Sequence, residues 1–144
     1  MKRRFYIEST PNYSTEASAL LRELKTALNI QTLTKVRLIQ VYDLFDLDEK
    51  DLDKVYSVLS QKTRDHEIAE DVMMAELENM PHFSIEWLPG QYDQRAYSAE
   101  LAFKMVGASH KTQVSTAVLY GFNQDLSAED LQKEIVALKE QLFR

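Results

Sequence analysis

The side chains best suited to directional chemistry lie in one short segment, residues 88–100, which reads LPGQYDQRAYSAE. Arg95 could bind a carboxylate or a phosphate in bidentate geometry, and Gln91 and Gln94 could hold amide or carbonyl groups. In the alternative, structural interpretation, Asp93 caps the following helix and Arg95 forms a surface ion pair. We predict a docking loop or an active-site-edge loop at Gln91, Asp93, Gln94 and Arg95, and the structural alternative stays open.

Other kinds of reactive site have little support in the sequence. The chain has no cysteine, which excludes disulfides, thiolate metal sites and a cysteine nucleophile. Its three glycines form no phosphate-binding run, and no GxSxG elbow occurs. The three histidines lack zinc-site spacing, and the acidic run at 43–53 lacks the glycine and distal glutamate of an EF-hand. We therefore predict no catalytic residue, no cofactor and no metal site in this segment.

Composition and charge are those of one acidic globular domain. The chain has 144 residues and a formal net charge of −6, and 44% of its residues are hydrophobic, which is enough for a core. The negative charge disfavours nucleic acids and anionic membranes as partners, because both require clustered Lys and Arg. No apolar run is long enough to span a bilayer. We expect a cytoplasmic protein that binds neither nucleic acid nor membrane.

The sequence also indicates an internal duplication. Residues 5–8 (FYIE) match residues 83–86 (FSIE), since 83 − 5 = 78, and the strand-like run at 36–42 matches 114–120, since 114 − 36 = 78. Three further matches follow in the same order at spacings of 78 to 80: Pro11 with Pro89, Ser18-Ala19 with Ser98-Ala99, and Asp51-Leu52 with Asp130-Leu131. An ordered set of this kind indicates two like half-domains. We predict halves at about 1–60 and 82–144, joined within one domain by a connector at 61–81.

Hydrophobic periodicity predicts the order strand, helix, strand, helix in each half. The strands are predicted at 3–9, 35–43, 82–88 and 113–122. Each of the four helices is predicted to bury one face. The buried face of the first helix is Ala17, Leu20, Leu21, Leu24, Ala27 and Leu28, and that of the second is Leu52, Val55, Tyr56 and Leu59. The buried face of the third helix is Ser98, Leu101, Ala102, Met105 and Val106, and that of the fourth is Leu131, Ile135, Leu138 and Leu142. Ser127, three residues before Asp130, indicates the start of the last helix, and Pro11 indicates a turn.

These elements predict an α+β fold, in which two duplicated βαβα-type halves form a pseudo-twofold domain with a mainly antiparallel sheet. The halves could join edge to edge or pack face to face, and the two-sided apolarity of 36–41 and 114–119 favours burial of both sheet faces. In the connector, a short helix could be lined by Ile68, Val72, Met73 and Leu77. Trp87 is expected in the core, and Tyr92 or Tyr97 is expected to face a partner.

Segment 88–100, with Phe83, Ile85 and Glu86 ahead of it, resembles a segment near the start of the large, single-chain phosphoribosylformylglycinamidine synthase. The likeness runs in order from MKRRFYIE at the start to the final helix, and the loop is its specific part. Tyr97 departs from the family pattern, which has an acidic residue there. In this family the N-terminal domain is a fused duplicate of the small PurS-type subunit, in agreement with the duplication described above.

The resemblance implies a place in purine biosynthesis. The full-length protein would be an ATP- and glutamine-dependent C–N ligase of the glutamine amidotransferase type, which amidates formylglycinamide ribonucleotide. This segment would be its non-catalytic N-terminal scaffold, bridging the synthetase and glutaminase domains through the loop at 91–95. ATP and Mg²⁺ would be bound elsewhere in the full-length enzyme, and isolated copies of the segment could self-associate. The abrupt ending after an amphipathic helix also predicts that the chain is truncated.

Two other classes of function stay open. A free-standing regulatory or protein-interaction module would show saturable affinity for an amino acid or a nucleotide. A small independent enzyme using Asp93 and Arg95 would show turnover by the isolated chain. The enzyme is disfavoured because the sequence offers no convincing nucleophile, metal or base.

Overall fold

The computed structural model of the chain describes residues 2–9, 15–28, 33–60, 65–88, 90–108, 111–123 and 127–142. Within these ranges the elements alternate between strands and helices along the chain. In order they are β1 (Arg3–Ser9), α1 (Thr15–Leu28), β2 (Val36–Phe45), a 3-10 turn (Glu49–Asp51) leading into α2 (Leu52–Leu59), β3 (Asp65–Ile68), α3 (Glu70–Glu78), β4 (His82–Glu86), α4 (Gln94–Met105), β5 (Gln113–Phe122) and α5 (Ala128–Leu142).

The strands form one sheet in the order β3-β1-β2-β5-β4, and every neighbouring pair is antiparallel. The predicted α+β fold with a mainly antiparallel sheet is therefore confirmed. The central pair is β2 with β5, which runs from Val36 opposite Phe122 to Phe45 opposite Gln113. The predicted bounds of β1 and β5 agree with the observed bounds, and β2 continues two residues beyond its predicted end.

The register of the outer strands repeats with the spacing seen in the sequence. Phe5 lies opposite Tyr42 in the β1–β2 pair, and Phe83 lies opposite Tyr120 in the β4–β5 pair. Both partners are displaced by the same number of residues, since 83 − 5 = 78 and 120 − 42 = 78. This agreement supports the duplication, which stays a prediction, and it places the two halves edge to edge across the central strand pair.

Four helices cover one face of the sheet. Helices α2 and α4 pack over one end, where the fully buried side chains include Phe5, Leu44 and Phe103. Helices α1 and α5 pack over the other end, around Leu24 and Phe122. Burial of this apolar surface is the main stabilising contribution to a fold of this kind. Ser127 stands immediately before α5, and its Oγ accepts a hydrogen bond from the Asp130 backbone N at 3.2 Å, so the predicted helix start is confirmed.

The second face of the sheet is covered by the connector. Met73 of α3 is fully buried against Ile39 and Val41 of β2, which explains why β2 is apolar on both sides. The predicted connector helix is therefore present, although Val72 points outward and Ile68 belongs to β3, an edge strand that was not predicted. Burial of both faces is confirmed, and the second face is covered by α3.

The predicted inward face of α4 is wrong. Leu101, Met105 and Val106 are exposed, whereas the buried positions are Ala96, Ala99 and Phe103. The small alanine side chains allow the helix to lie close to β5, and Phe103 fills the space between α4 and α2. The prediction gave most weight to bulky apolar residues, and it therefore chose the opposite face of α4.

Trp87 was also expected in the core, and this prediction is wrong. Strand β4 ends at Glu86, two residues before its predicted end, and Trp87 follows it with 51% of its surface exposed. Four predicted helix contacts (Ala27, Leu28, Leu138 and Leu142) concern side chains outside the described set, and the predicted turn at Pro11 lies outside the described residues as well.

Candidate functional site

The candidate site is a cavity of about 600 Å³ over strands β4 and β5. It lies beside the starts of α1 and α4, which contribute Glu16 and Arg95 respectively. A neighbouring cavity of about 880 Å³ is also lined by Glu16 and Arg95 and extends over Gln40 and Tyr42. The predicted loop therefore borders a concave surface on the helical side of the sheet, which is the usual setting of a small-molecule site.

Arg95 reaches over the middle of the sheet. Its Nη1 donates a hydrogen bond to Oε1 of Gln40, which stands on the neighbouring half of the domain. Within the described residues Arg95 forms no ion pair, so the predicted surface ion pair is not seen there. The guanidinium keeps donors that can bind an anionic group from solvent or from a partner.

Asp93 has a structural role. One carboxylate oxygen accepts a hydrogen bond from the Ala96 backbone N at 3.0 Å, which is the N-cap geometry predicted in the structural interpretation. The other accepts from the Thr116 backbone N at 3.0 Å, and Thr116 Oγ1 lies 2.8 Å away. Asp93 therefore ties the start of α4 to β5 and fixes the position of Arg95 above the sheet.

Gln91 and Gln94 differ in their surroundings. The Gln91 side chain closes its own turn, because its Oε1 accepts a hydrogen bond from the Leu88 backbone N at 2.7 Å. Gly90 has a φ of 87°, a left-handed conformation that this turn requires and that glycine adopts without strain. Gln94 is exposed and lines the 600 Å³ cavity together with Gln91.

The pKa values of two tyrosines reflect the electrostatics of the site. Burial raises the pKa of the Tyr120 phenol above its ordinary value of 10.0; the negative charge of Glu16 raises this pKa further and the positive charge of Arg95 lowers it. Burial likewise raises the pKa of Tyr42, and the charge of Arg95 opposes that shift. Both phenols are neutral hydrogen-bonding groups at pH 7. The Glu16 and Arg95 charges therefore act on one small region.

Glu16 and Gln40 were not predicted from the sequence as site residues. Glu16 could have been predicted from the repeat. It lies 79 residues before Arg95 (95 − 16 = 79), and this spacing gives the two residues matching positions in the two halves. Gln40 lies 55 residues from Arg95 in the chain, and only the observed strand order brings the two together. A polar residue inside an apolar strand was the available signal.

A second surface feature adjoins the loop, and we call it the α4 stripe: Tyr97, Leu101 and Met105. These residues follow one another at intervals of four along the exposed side of the helix, and Met105 is 86% exposed. Tyr92 extends the stripe at the loop, with its ring centroid 6.1 Å from that of Tyr97. Both Tyr92 and Tyr97 are exposed, and the expectation that one of them faces a partner stays a prediction. Grouped apolar exposure of this kind is typical of a surface that contacts another protein.

Two other kinds of feature are absent from the described part of the chain. No group of three metal-ligating side chains there is placed to hold an ion. None of the helices in the same part is long and apolar enough to cross a membrane.

The fold and site define a class of protein: an α+β domain with a five-stranded antiparallel sheet, a cavity over strands β4 and β5 and an apolar stripe beside it. Comparison of the chain with protein-family models, with curated proteins and with solved structures finds no match.

Proposed function

We propose that this chain is the N-terminal scaffold domain of a large, single-chain phosphoribosylformylglycinamidine synthase. In that role it would be non-catalytic and cytoplasmic. It would bridge the synthetase domain, which uses ATP and Mg²⁺, and the glutaminase domain, which releases ammonia from glutamine. The likeness of segment 88–100 to this family is the origin of the proposal.

The observation that carries the proposal is the α4 stripe next to the predicted loop. A scaffold needs a surface that is stable alone and complementary to another domain, and exposed Tyr, Leu and Met side chains are suited to this purpose. The repeated register of the two outer strand pairs agrees with a fused duplicate of a small subunit. Asp93 and Gln91 hold the loop in shape, which leaves Gln94 and Arg95 to contact a partner.

Met105→Glu is expected to weaken docking of this domain to the remainder of the enzyme by at least about tenfold in Kd, because the interface would have to bury an unpaired carboxylate. The fold itself should be unaffected, since Met105 is 86% exposed. The measurement is the affinity of this chain for the remainder of the enzyme, produced as a separate polypeptide. Met74→Glu is the matched control, because Met74 is 53% exposed on α3, against the opposite face of the sheet. Equal affinities for the two variants would count against the stripe as the docking surface.

The mass of the native polypeptide tests the proposal at a coarser level. An antibody raised against this chain is expected to detect a band many times heavier than 16.7 kDa in the source cells. Such a band would place these residues in a large multidomain ligase. A band at 16.7 kDa would contradict the single-chain form of the proposal and favour a separate subunit or a free-standing module.

A regulatory module is the second candidate, and the cavity is the observation that favours it. A scaffold has no need of a cavity whose walls carry Glu16 and Arg95 without an ion-pair partner in the described residues.

A further inference from the structure

The cavity over strands β4 and β5 is lined by charged residues of both signs, the cation Arg95 and the carboxylates Glu16 and Glu86. Arg95 stands at the start of α4 and Glu16 at the start of α1, and both line the same space of about 600 Å³. They form no ion pair with each other, and within the described ranges neither is paired with another charged side chain. The cavity therefore presents a cation and an anion that a single ligand could bind together.

The rest of the lining is suited to a small ligand with an apolar part. Ile85 and Val118 contribute aliphatic surface, and Trp87 contributes a half-exposed ring. Gln91 and Gln94 add amide groups at the loop side. A volume of about 600 Å³ lies within the common range for small-molecule pockets.

We propose that this cavity binds a free α-amino acid with an uncharged, apolar side chain. The carboxylate of the ligand is bound by Arg95, its ammonium group by Glu16, and its side chain packs against Ile85, Trp87 and Val118. A simple anion is disfavoured because Glu16 and Glu86 repel it, and a simple cation is disfavoured because Arg95 repels it. A zwitterion satisfies both charges. This inference goes beyond the scaffold role and does not depend on it.

The single tryptophan of the chain provides the readout. Because Trp87 lines the cavity, its fluorescence should change in a saturable way as L-leucine is added to the full 144-residue chain. We expect a Kd of about 1 mM for a ligand of this size. Two probes each lack one charge: 4-methylpentanoate has no ammonium group, and 3-methylbutylamine has no carboxylate. Each should bind at least about tenfold more weakly than L-leucine.

Substitutions of Glu16 and Arg95 test whether the ligand binds in this cavity. Glu16→Gln and Arg95→Gln should each weaken L-leucine binding at least about tenfold. Glu129→Gln is the matched control, since Glu129 is an exposed glutamate in the first turn of α5 and does not line the cavity; it should bind L-leucine as the unaltered chain does. The double variant Glu16→Arg/Arg95→Glu exchanges the charges of these two positions and should recover part of the binding that either single reversal loses. Thermal unfolding of each variant shows that it is folded.

Three results would overturn the inference: no saturable change at L-leucine concentrations about tenfold above the expected Kd, equal binding of 4-methylpentanoate and L-leucine, or unchanged binding by Glu16→Gln. None of them would alter the docking result expected for Met105→Glu, so failure of this inference and failure of the scaffold role can be told apart.

Discussion

Asp93→Ala is expected to destabilise the fold by about 3 kcal/mol, the combined effect of losing a helix cap and hydrogen bonds to a charged group. The Asp93 carboxylate accepts from the Ala96 and Thr116 backbone N atoms, each at 3.0 Å, and from Thr116 Oγ1. Removing it leaves the part-buried Thr116 amide without this acceptor. The free energy of unfolding in urea is the measurement.

Two further variants separate the cap from the tie to β5. Ser127→Ala removes a single cap hydrogen bond from α5 and should cost about 1 kcal/mol. Asp93→Asn keeps one acceptor oxygen and should fall between the two alanine variants. If Asp93→Ala cost no more than Ser127→Ala, the bonds to Thr116 would contribute nothing and the loop would be held by other contacts.

Arg37→Met is expected to have an effect of similar size, about 3 kcal/mol, because it removes the cation from a largely buried cluster of charges. Arg37 binds Glu8 through two hydrogen bonds of 2.7 and 3.0 Å and binds Glu76 at 2.7 Å. The Arg37 and Glu8 side chains are only 15% and 17% exposed, so the glutamate would keep a poorly solvated charge. The hydrogen bond to Glu8 is also the main reason that the pKa of Arg37 is raised.

Arg4→Met is the matched comparison. Arg4 also forms two hydrogen bonds with one carboxylate, that of Asp43, but its side chain is 43% exposed. We expect a loss of about 1 kcal/mol or less, as for exposed ion pairs. The same urea-unfolding measurement applies to both variants. A loss for Arg37→Met as small as that for Arg4→Met would show that the cluster does not hold β1, β2 and α3 together.

Most of the sheet was predictable from the sequence for a physical reason. Strands β1 and β5 combine alternating or continuous apolar residues with clear ends, so their bounds were predictable. Strand β3 has the sequence DHEI, which is too short and too polar to be distinguished from a loop. Arg37 is a charged residue within an otherwise largely apolar strand, and its role depends on glutamates 29 and 39 residues away in the chain.

The candidate site was predictable in part, for a related reason. The capping role of Asp93 depends on residues close to it in the chain and was one of two predicted alternatives. The orientation of α4 depends on how closely a helix can approach a sheet, where Ala96 and Ala99 are better suited than Leu101. The neighbouring cavity of about 880 Å³ joins Glu16, Gln40 and Arg95 from both halves, and such contacts appear only once the strand order is known.

The two edge strands of the sheet affect how copies of this protein can associate. Strands β3 and β4 are four and five residues long, whereas the central strands have ten. Short edge strands carrying acidic residues such as Glu67 and Glu86 are poor templates for strand addition by another chain, which is the usual route to amyloid-like growth. Association is therefore favoured through the helical layer, where the exposed Tyr, Leu and Met side chains lie, and a partner can bind there without extending the sheet.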